Sequence, residues 1–115
     1  MKEIQQKVLA FRDERDWKKY HDEKDLAISI SLEANELLEN FQWRTSEEAI
    51  AESKQNIKEE MADILIYLVQ LADKMDINME EEVSNKLLKN AIKYPVNKSE
   101  EKVKWLFIMR PLQTF

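Results

Sequence analysis

The chain has 115 residues, a net charge of −5 and 36% charged residues, with no glycine, no cysteine and two prolines. This length supports one domain with a single modest core, which a second chain would help to stabilise. The lack of glycine excludes most hairpin-rich and doubly wound sheets, because these folds need positive φ angles, so we expect an all-α fold. The acidic balance excludes duplex nucleic acid as the main partner, although not a single nucleotide.

The absence of cysteine excludes disulfides and thiolate chemistry and allows a reducing compartment, so a cytoplasmic location is expected. No run of about 18 uncharged apolar residues occurs. The first residues also lack the apolar segment of a signal peptide. We therefore expect a protein that neither spans nor crosses a membrane.

The first two helices are predicted from apolar residues at helical spacing. The first covers residues 2 to about 20, with one face formed by Ile4, Val8 and Phe11. A polar segment then leads to a second helix over roughly residues 25 to 41, which Asp22 or Asp25 can cap.

The second helix carries acids on its apolar side. Glu33 projects into the middle of the apolar stripe, Glu36 lies on its edge, and Glu39 lies farther round the helix. A carboxylate in an apolar environment needs a partner, so these residues are candidates for a site.

Residues 42 to 55 are predicted to form a turn and a short polar helix capped by Ser46, which connects the longer helices without contributing to the core. The next helix, about residues 56 to 75, is apolar on nearly every side, as buried helices are. Glu60 and Asp63 nevertheless lie along one line of its surface.

A fourth helix is predicted to begin at Asn78, which can form a capping box with Glu81, and to end before Tyr94-Pro95. Its apolar residues lie on one side: Met79, Val83, Leu87 and Ala91. The helical domain is thus predicted over residues 1–96. Residues 97–115 change from polar to strongly apolar and are predicted to be a C-terminal tail of unknown role.

Two helices each present acids three residues apart, Glu33 with Glu36 and Glu60 with Asp63, and 23 residues separate the pairs. This spacing places each pair on one helix face. If the helices pack antiparallel with these faces opposed, the four carboxylates converge, and their repulsion raises pKa values unless cations lie between them. Oxygen ligands select hard cations such as Mg²⁺ or Mn²⁺, and Mg²⁺ usually keeps water and substrate phosphate as further ligands. The pattern therefore predicts phosphate-ester or anhydride chemistry.

The acids have two other interpretations. A solvated helix face commonly explains a single pair, but both pairs here border apolar stripes. A di-iron bundle needs Glu-x-x-His on two helices. His21 is the single histidine, and no glutamate stands three residues before it, which disfavours di-iron chemistry.

Aromatic and amide residues complete the set of candidates. Trp17 and Trp43 lie outside the apolar stripes, where an indole can stack on a base or simply pack against neighbours. Tyr67 follows the acids by one turn, so its hydroxyl can reach a phosphate oxygen or serve as an ordinary core tyrosine. Asn90 and Lys93 can supply an amide and a cation to a triphosphate, although a lysine there also compensates the helix dipole.

The segment Leu32–Glu39 followed by Glu60–Leu68 resembles the E-x-x-E, spacer, E-x-x-D pattern of the MazG nucleotide pyrophosphohydrolases. The chain is also similar to the dCTP pyrophosphatase branch of that family at residues 11–21, 41–43, 63–67 and 90–96. The resemblance covers about residues 4 to 96.

The resemblance implies a four-helix-bundle-like subunit of the all-α nucleoside triphosphate pyrophosphatase type, assembled as a homodimer or a dimer of dimers with shared sites. It implies Mg²⁺-dependent hydrolysis, with Mn²⁺ as an alternative cation, of a (deoxy)nucleoside triphosphate to the monophosphate and pyrophosphate. Such an enzyme serves house-cleaning or control of the dNTP pool. A non-catalytic nucleotide-binding or interaction module and a purely structural bundle remain alternatives.

The resemblance also assigns roles to residues. The metal ligands would be Glu33, Glu36, Glu60 and Asp63. The residue that orients or deprotonates the attacking water would be Glu36 or Glu39. The base would be flanked by Trp17 and Trp43. The remaining substrate contacts would come from Tyr67, Asn90 and Lys93, with His21 and Lys24 as further candidates.

Overall fold

A computed structural model describes residues 1–96. It contains four α-helices and one 3₁₀ turn: α1 (Lys2–Glu14), the turn Lys18–Tyr20, α2 (Glu23–Glu39), α3 (Ser46–Lys74) and α4 (Met79–Lys93). No β-strand occurs within these 96 residues, so the all-α prediction is confirmed. The predicted tail, residues 97–115, lies outside the described residues.

Helix α1 ends at Glu14, several residues earlier than predicted. The backbone N–H groups of Asp16 and Trp17 bond to the carbonyl oxygens of Asp13 and Arg12, each at 3.1 Å, and Asp16 has a φ of 55°. This is a Schellman end, in which aspartate takes the left-handed position that glycine usually occupies. The early end places Trp17 outside the helix.

Helix α2 begins at Glu23, and both predicted capping residues take part. The Asp22 side chain accepts a hydrogen bond from the Asp25 N–H at 2.8 Å, and the Asp25 carboxylate accepts one from the Asp22 N–H at 3.3 Å. This capping box satisfies two N–H groups that the helix itself leaves without acceptors.

Helix α3 joins two segments that the sequence suggested were separate. The break falls at Ser53, whose φ of −128° and ψ of 21° are not helical, so α3 consists of two helical segments that meet at a kink. Thr45, and not Ser46, is the cap, because its hydroxyl accepts from the Glu48 N–H at 3.1 Å. The prediction that this segment stays outside the core was wrong, since Ala49 is fully buried.

The chain divides into two compact units, Met1–Asn78 and a second that begins at Met79. In the first unit, α1 and α2 both pack on α3. The fully buried apolar side chains are Leu26, Ala49, Val69 and Ala72. Arg12 is only 4% exposed and donates to Asp73 at 2.9 Å, which ties α1 to α3 by a charge-assisted hydrogen bond.

Helix α4 belongs to the second unit, and none of its residues is buried. Its large apolar side chains are exposed: Val83, Leu87, Leu88 and Ile92. Among the described helices, no segment combines the length and the apolarity that crossing a bilayer requires.

Candidate active site

Three of the four predicted metal ligands converge between α2 and α3. Glu33, Glu36 and Glu60 each offer a carboxylate oxygen, and these three atoms lie within 4.8 Å of one another. The two helices run antiparallel, because Asn40 bonds to Asn56 near one end of the pair while Glu33 meets Glu60 farther along. The opposed acid faces predicted from the spacing are therefore present.

Asp63, the fourth predicted ligand, follows Glu60 by three residues on α3. It does not belong to the group within 4.8 Å, but its negative charge acts on Glu33, Glu60 and Tyr67. It also lines the cleft beside the acids. Asp63 therefore connects the acid cluster, defined here as Glu33, Glu36 and Glu60, with that cleft.

When the carboxylates are ionised, two oxygens of the acid cluster have no hydrogen-bond donor among residues 1–96: Oε2 of Glu33 and Oε2 of Glu60 are both buried and unpartnered. A buried carboxylate oxygen without a donor is costly, so the folded chain retains it only at a local expense in stability. Two such atoms beside a third carboxylate form the donor set that a hard divalent cation uses. The residues therefore fit a metal ion.

The electrostatics of the acid cluster also favour an added positive charge. The pKa of Glu33 is raised to about 7, chiefly because its protonated form donates a hydrogen bond to Glu60, and further by burial and by the charges of Glu36 and Asp63. The hydrogen bond from Glu33 lowers the pKa of Glu60, but burial and the same two charges outweigh it, so that pKa is raised as well. The metal-free cluster therefore holds a proton near neutral pH.

Tyr67 follows Asp63 by four residues, on the same face of α3. Its pKa is raised by burial first, and then by the negative charges of Glu33, Asp63 and Glu36. The phenol therefore stays protonated at neutral pH, and it can donate a hydrogen bond to an anion bound beside the acids.

A cleft of about 490 Å³ lies next to Asp63 and Tyr67. This volume falls within the range of small-molecule sites. Its walls come from α1, the segment after it, and α3: Lys7, Val8, Phe11, Arg12, Trp17, His21, Asp63, Ile66, Tyr67 and Gln70. The structure thus brings four predicted site residues to one cleft: Trp17, His21, Asp63 and Tyr67.

Packing holds Trp17 at the cleft. Its ring meets that of Phe11 edge-on, with centroids 5.8 Å apart and an interplanar angle of 72°. The Arg15 guanidinium lies over the Phe11 ring at 3.5 Å and near the Trp17 ring at 5.8 Å. These contacts restrict the orientation of the indole, which suits a surface for stacking.

Three other predicted site residues of the first unit, Trp43, Glu39 and Lys24, belong to neither the acid cluster nor the lining of the cleft. Trp43 is 99% exposed, with a φ of 61° that is costly for a residue with a Cβ atom. Glu39 is exposed at the last position of α2, and Lys24 is exposed in its first turn. Asn90 and Lys93 lie on α4, within the second unit, so their roles stay predictions.

Sequence reasoning missed several cleft residues, among them Lys7, Arg12 and Gln70. Gln70 follows Tyr67 by three residues, so extending the line of Glu60, Asp63 and Tyr67 by one more turn of α3 reaches it. The cleft face of α1 could not be identified in this way, because its apolar members were assigned to the core.

Comparison with known proteins agrees with this geometry. The profile of the MazG-like family matches residues 28–106. The chain belongs to the MazG-like family. This confirms the family that the resemblance of the sequence motifs indicated.

Two relatives and one solved structure show the extent of the similarity. The chain is 34% identical to dCTP pyrophosphatase 1 of Bos taurus over 104 residues, covering 86% of this chain and 62% of the bovine protein. It is 31% identical to the Homo sapiens protein of the same name over 102 residues, covering 84% and 60%. A crystal structure of a pyrophosphatase from Archaeoglobus fulgidus is 48% identical with a TM-score of 0.76, covering 83% of this chain and 92% of that one.

The match to the archaeal structure supports the fold of the MazG-like chain as well as its family. The chain spans about three fifths of the length of the curated relatives that it matches.

Proposed function

We propose that this MazG-like protein hydrolyses a (deoxy)nucleoside triphosphate to the nucleoside monophosphate and pyrophosphate, with Mg²⁺, or Mn²⁺ in its place, held by the acid cluster. The observation that carries the proposal is the convergence of Glu33, Glu36 and Glu60, with two unpartnered buried oxygens, beside a cleft of nucleotide-compatible size. The similarity to proteins named dCTP pyrophosphatase 1 makes dCTP the first substrate to test.

Each side chain then has a definite task. Glu33, Glu36 and Glu60, with Asp63, would hold the cation, which when bound polarises phosphoryl oxygens and lowers the pKa of water. The exposed carboxylate of Glu36, or that of Glu39 one turn later, accepts the proton of the attacking water. Some carboxylates thus bind the cation, and one accepts the proton of the attacking water.

Binding of the nucleotide uses the remaining predicted residues. Tyr67, which stays protonated, donates to a phosphate oxygen, while Asn90 and Lys93 add an amide and a positive charge. Trp17 and Trp43 flank the base by stacking. The further candidates beside the substrate are His21 and Lys24.

A homodimer or homotetramer with shared sites is part of the proposal. In the single chain, many large apolar side chains are exposed, including Leu32, Met61, Leu87 and Ile92. Contiguous exposed apolar surface commonly marks an interface. A second copy that covers such a surface could also bring side chains such as Trp43 to a site. The activity is placed in the cytoplasm, where nucleoside triphosphates are made and used, in house-cleaning or control of the dNTP pool.

The deciding experiment is an assay of pyrophosphate release from common and modified nucleoside triphosphates, with and without Mg²⁺. Glu60→Gln and Asp63→Asn should each lower the rate by more than about 100-fold, because each removes a charge that holds the cation. Glu59→Gln is the matched control: it removes the same charge from the adjacent exposed position of α3 and should leave the rate unchanged.

Two outcomes would contradict the proposal in different ways. Full activity in both Glu60→Gln and Asp63→Asn would refute the metal assignment. Tight nucleotide binding in the presence of Mg²⁺ with no pyrophosphate from any substrate would instead indicate a non-catalytic nucleotide-binding module.

A further inference from the structure

Asn40 stands out because it is a nearly buried polar side chain whose donors and acceptor all face protein. It is the residue that follows α2, and it is 9% exposed. Its Nδ2 donates to the carbonyl oxygens of Glu36 at 3.2 Å and Leu37 at 3.3 Å, and its Oδ1 accepts from Nδ2 of Asn56 at 2.8 Å. The amide therefore closes the end of α2 and at the same time links it to α3.

This amide link lies one helical turn from the acid cluster on both helices. Asn40 follows Glu36 by four residues, and Asn56 precedes Glu60 by four residues. Residues four apart share a helix face and are separated by about 6 Å along the axis. The Asn40–Asn56 hydrogen bond thus joins the two helices on the faces that carry the acids.

The acid cluster needs such a link, because repulsion among its carboxylates opposes the close approach of α2 and α3 that brings them together. Glu33, Glu36 and Glu60 crowd three carboxylates into a half-buried space, and once all three are ionised their repulsion in the absence of a cation pushes α2 and α3 apart. A hydrogen bond of 2.8 Å is directional, and a slip of one residue moves a helix by about 1.5 Å and rotates it by about 100°, which breaks the bond. The link is neutral, so it restrains the helices without competing with the cation for the carboxylates, as a lysine would.

We propose that Asn40 and Asn56 are positioning residues, which set the register of α2 on α3 so that the carboxylates of Glu36 and Glu60 meet at one cation. The inference rests on the proposed metal site. Neither asparagine is assigned a contact with the cation or the nucleotide. They act through the two glutamates one turn away.

The test removes the link from its exposed side. Asn56 is exposed on α3, and alanine has a higher helix propensity than asparagine, so Asn56→Ala should fold. We expect its dissociation constant for Mn²⁺, measured in the absence of nucleotide by the electron paramagnetic resonance of free Mn²⁺, to rise about tenfold. Losing a residue that orients metal ligands typically weakens metal affinity by about 10- to 100-fold.

Ser53→Ala is the matched control. It removes a hydrogen bond of 3.0 Å, donated by Arg44, that also ties the segment after α2 to α3 but lies about one turn farther from the acids. Its affinity for Mn²⁺ should stay within about twofold of the wild type, because the register at Glu60 does not depend on that bond. Urea unfolding of both variants shows whether each remains cooperatively folded.

A folded Asn56→Ala protein with wild-type affinity for Mn²⁺ would overturn the inference. If Asn56→Ala does not fold, Asn56→Ser, whose hydroxyl is too short to span the gap, must show the same loss or the inference fails. The Asn40→Ala/Asn56→Ala pair should lose no more affinity than Asn40→Ala alone, because Asn40→Ala already removes the link that Asn56 contributes. Additive losses would contradict this.

The outcome is separable from that of the proposed function. A wild-type protein that binds Mn²⁺ with an affinity dependent on Asn56, yet releases no pyrophosphate, would keep this inference and refute the hydrolase. An active wild type whose Mn²⁺ affinity does not depend on Asn56 would refute this inference and keep the hydrolase. A wild type that binds no Mn²⁺ would refute both.

Discussion

The α2–α3 hairpin and helix α4 have similar amphipathic sequences but differ in what they bury. The hairpin contains the fully buried Leu26, Ala49, Val69 and Ala72, and it brings three acids together. No residue of α4 is buried, and Ile92 is 83% exposed. The periodicity that predicts an apolar face is present in both regions. In the hairpin, other helices of the same chain cover that face, whereas the apolar side chains of α4 are exposed.

This difference indicates what one chain can complete. The acid cluster requires only α2 and α3, so a single chain assembles it. Asn90 and Lys93 lie on a helix whose apolar face is exposed, and Trp43 is exposed as well. We therefore expect that the acid cluster forms in a single chain, while full nucleotide binding needs a second copy.

The largest effect should follow from a charge on the exposed face of α4. Ile92→Glu would bury an unpaired carboxylate at a subunit interface, which costs several kcal/mol, so the dissociation constant of the oligomer should rise by at least about 100-fold. Sedimentation velocity measures the assembly, and pyrophosphate release should fall with it because Asn90 and Lys93 are then lost from shared sites.

Lys86→Glu is the control for this variant, because it reverses a charge at an exposed position about 120° away from Ile92 round the same helix. It should leave the assembly unchanged. Normal assembly and activity of Ile92→Glu would show that the exposed face of α4 is not an interface between copies of the chain.

A smaller effect is expected at Trp43, where stability and function should separate. Trp43→Gly removes an indole that is 99% exposed and relieves a left-handed φ of 61°, which costs a residue with a Cβ atom about 1 kcal/mol. The melting temperature should therefore stay the same or rise. The KM for the nucleotide should increase about tenfold, because stacking on a base contributes about 1–3 kcal/mol.

Trp43→Phe keeps an aromatic face and should retain a KM near that of the wild type. Thermal unfolding and steady-state kinetics measure the two effects separately. A Trp43→Gly protein with an unchanged KM would remove Trp43 from the substrate-binding residues and leave Trp17 as the aromatic contact at the cleft.

The smallest effect concerns the proton held by the acid cluster. The pKa of Glu33 is about 7 in the folded chain against 4.5 for an ordinary glutamate. The contribution of this group to stability is complete below about pH 4.5, where it is protonated in both states. It is lost as the pH rises through 7, because the unfolded chain releases a proton that the folded chain keeps.

Urea unfolding of the metal-free protein between pH 4 and 8 checks this sign. The free energy of unfolding of the wild type, relative to that of Glu33→Gln, should fall as the pH rises. The slope should correspond to a difference of up to about one bound proton between the folded and unfolded states. Mg²⁺ displaces that proton, so the stabilisation by Mg²⁺ should grow over the same interval. A relative stability that rises with pH would contradict the assigned pKa.

The predictable part of the site comprises residues whose chemistry is visible in local spacing. Glu33 with Glu36, and Glu60 with Asp63, were found because i, i+3 acids on apolar stripes conflict with ordinary burial. The Asn40–Asn56 link was missed, because an asparagine at a helix end is usually a local cap, and its partner lies 16 residues away. The same local reasoning placed a boundary between two helical segments near residue 55, and the kink at Ser53 lies close to it.

The sequence by itself determined the fold class and the acid pairs, because helical periodicity and residue spacing are properties of one helix at a time, and its resemblance to known motifs indicated the family. Only the tertiary structure decided that three acids lie within 4.8 Å while Asp63 faces the adjacent cleft, and that Trp17 lines this cleft while Trp43 does not. These facts depend on the rotation and register of helices packed against each other. A slip of one residue changes both by about 1.5 Å and 100° while leaving every local pattern intact.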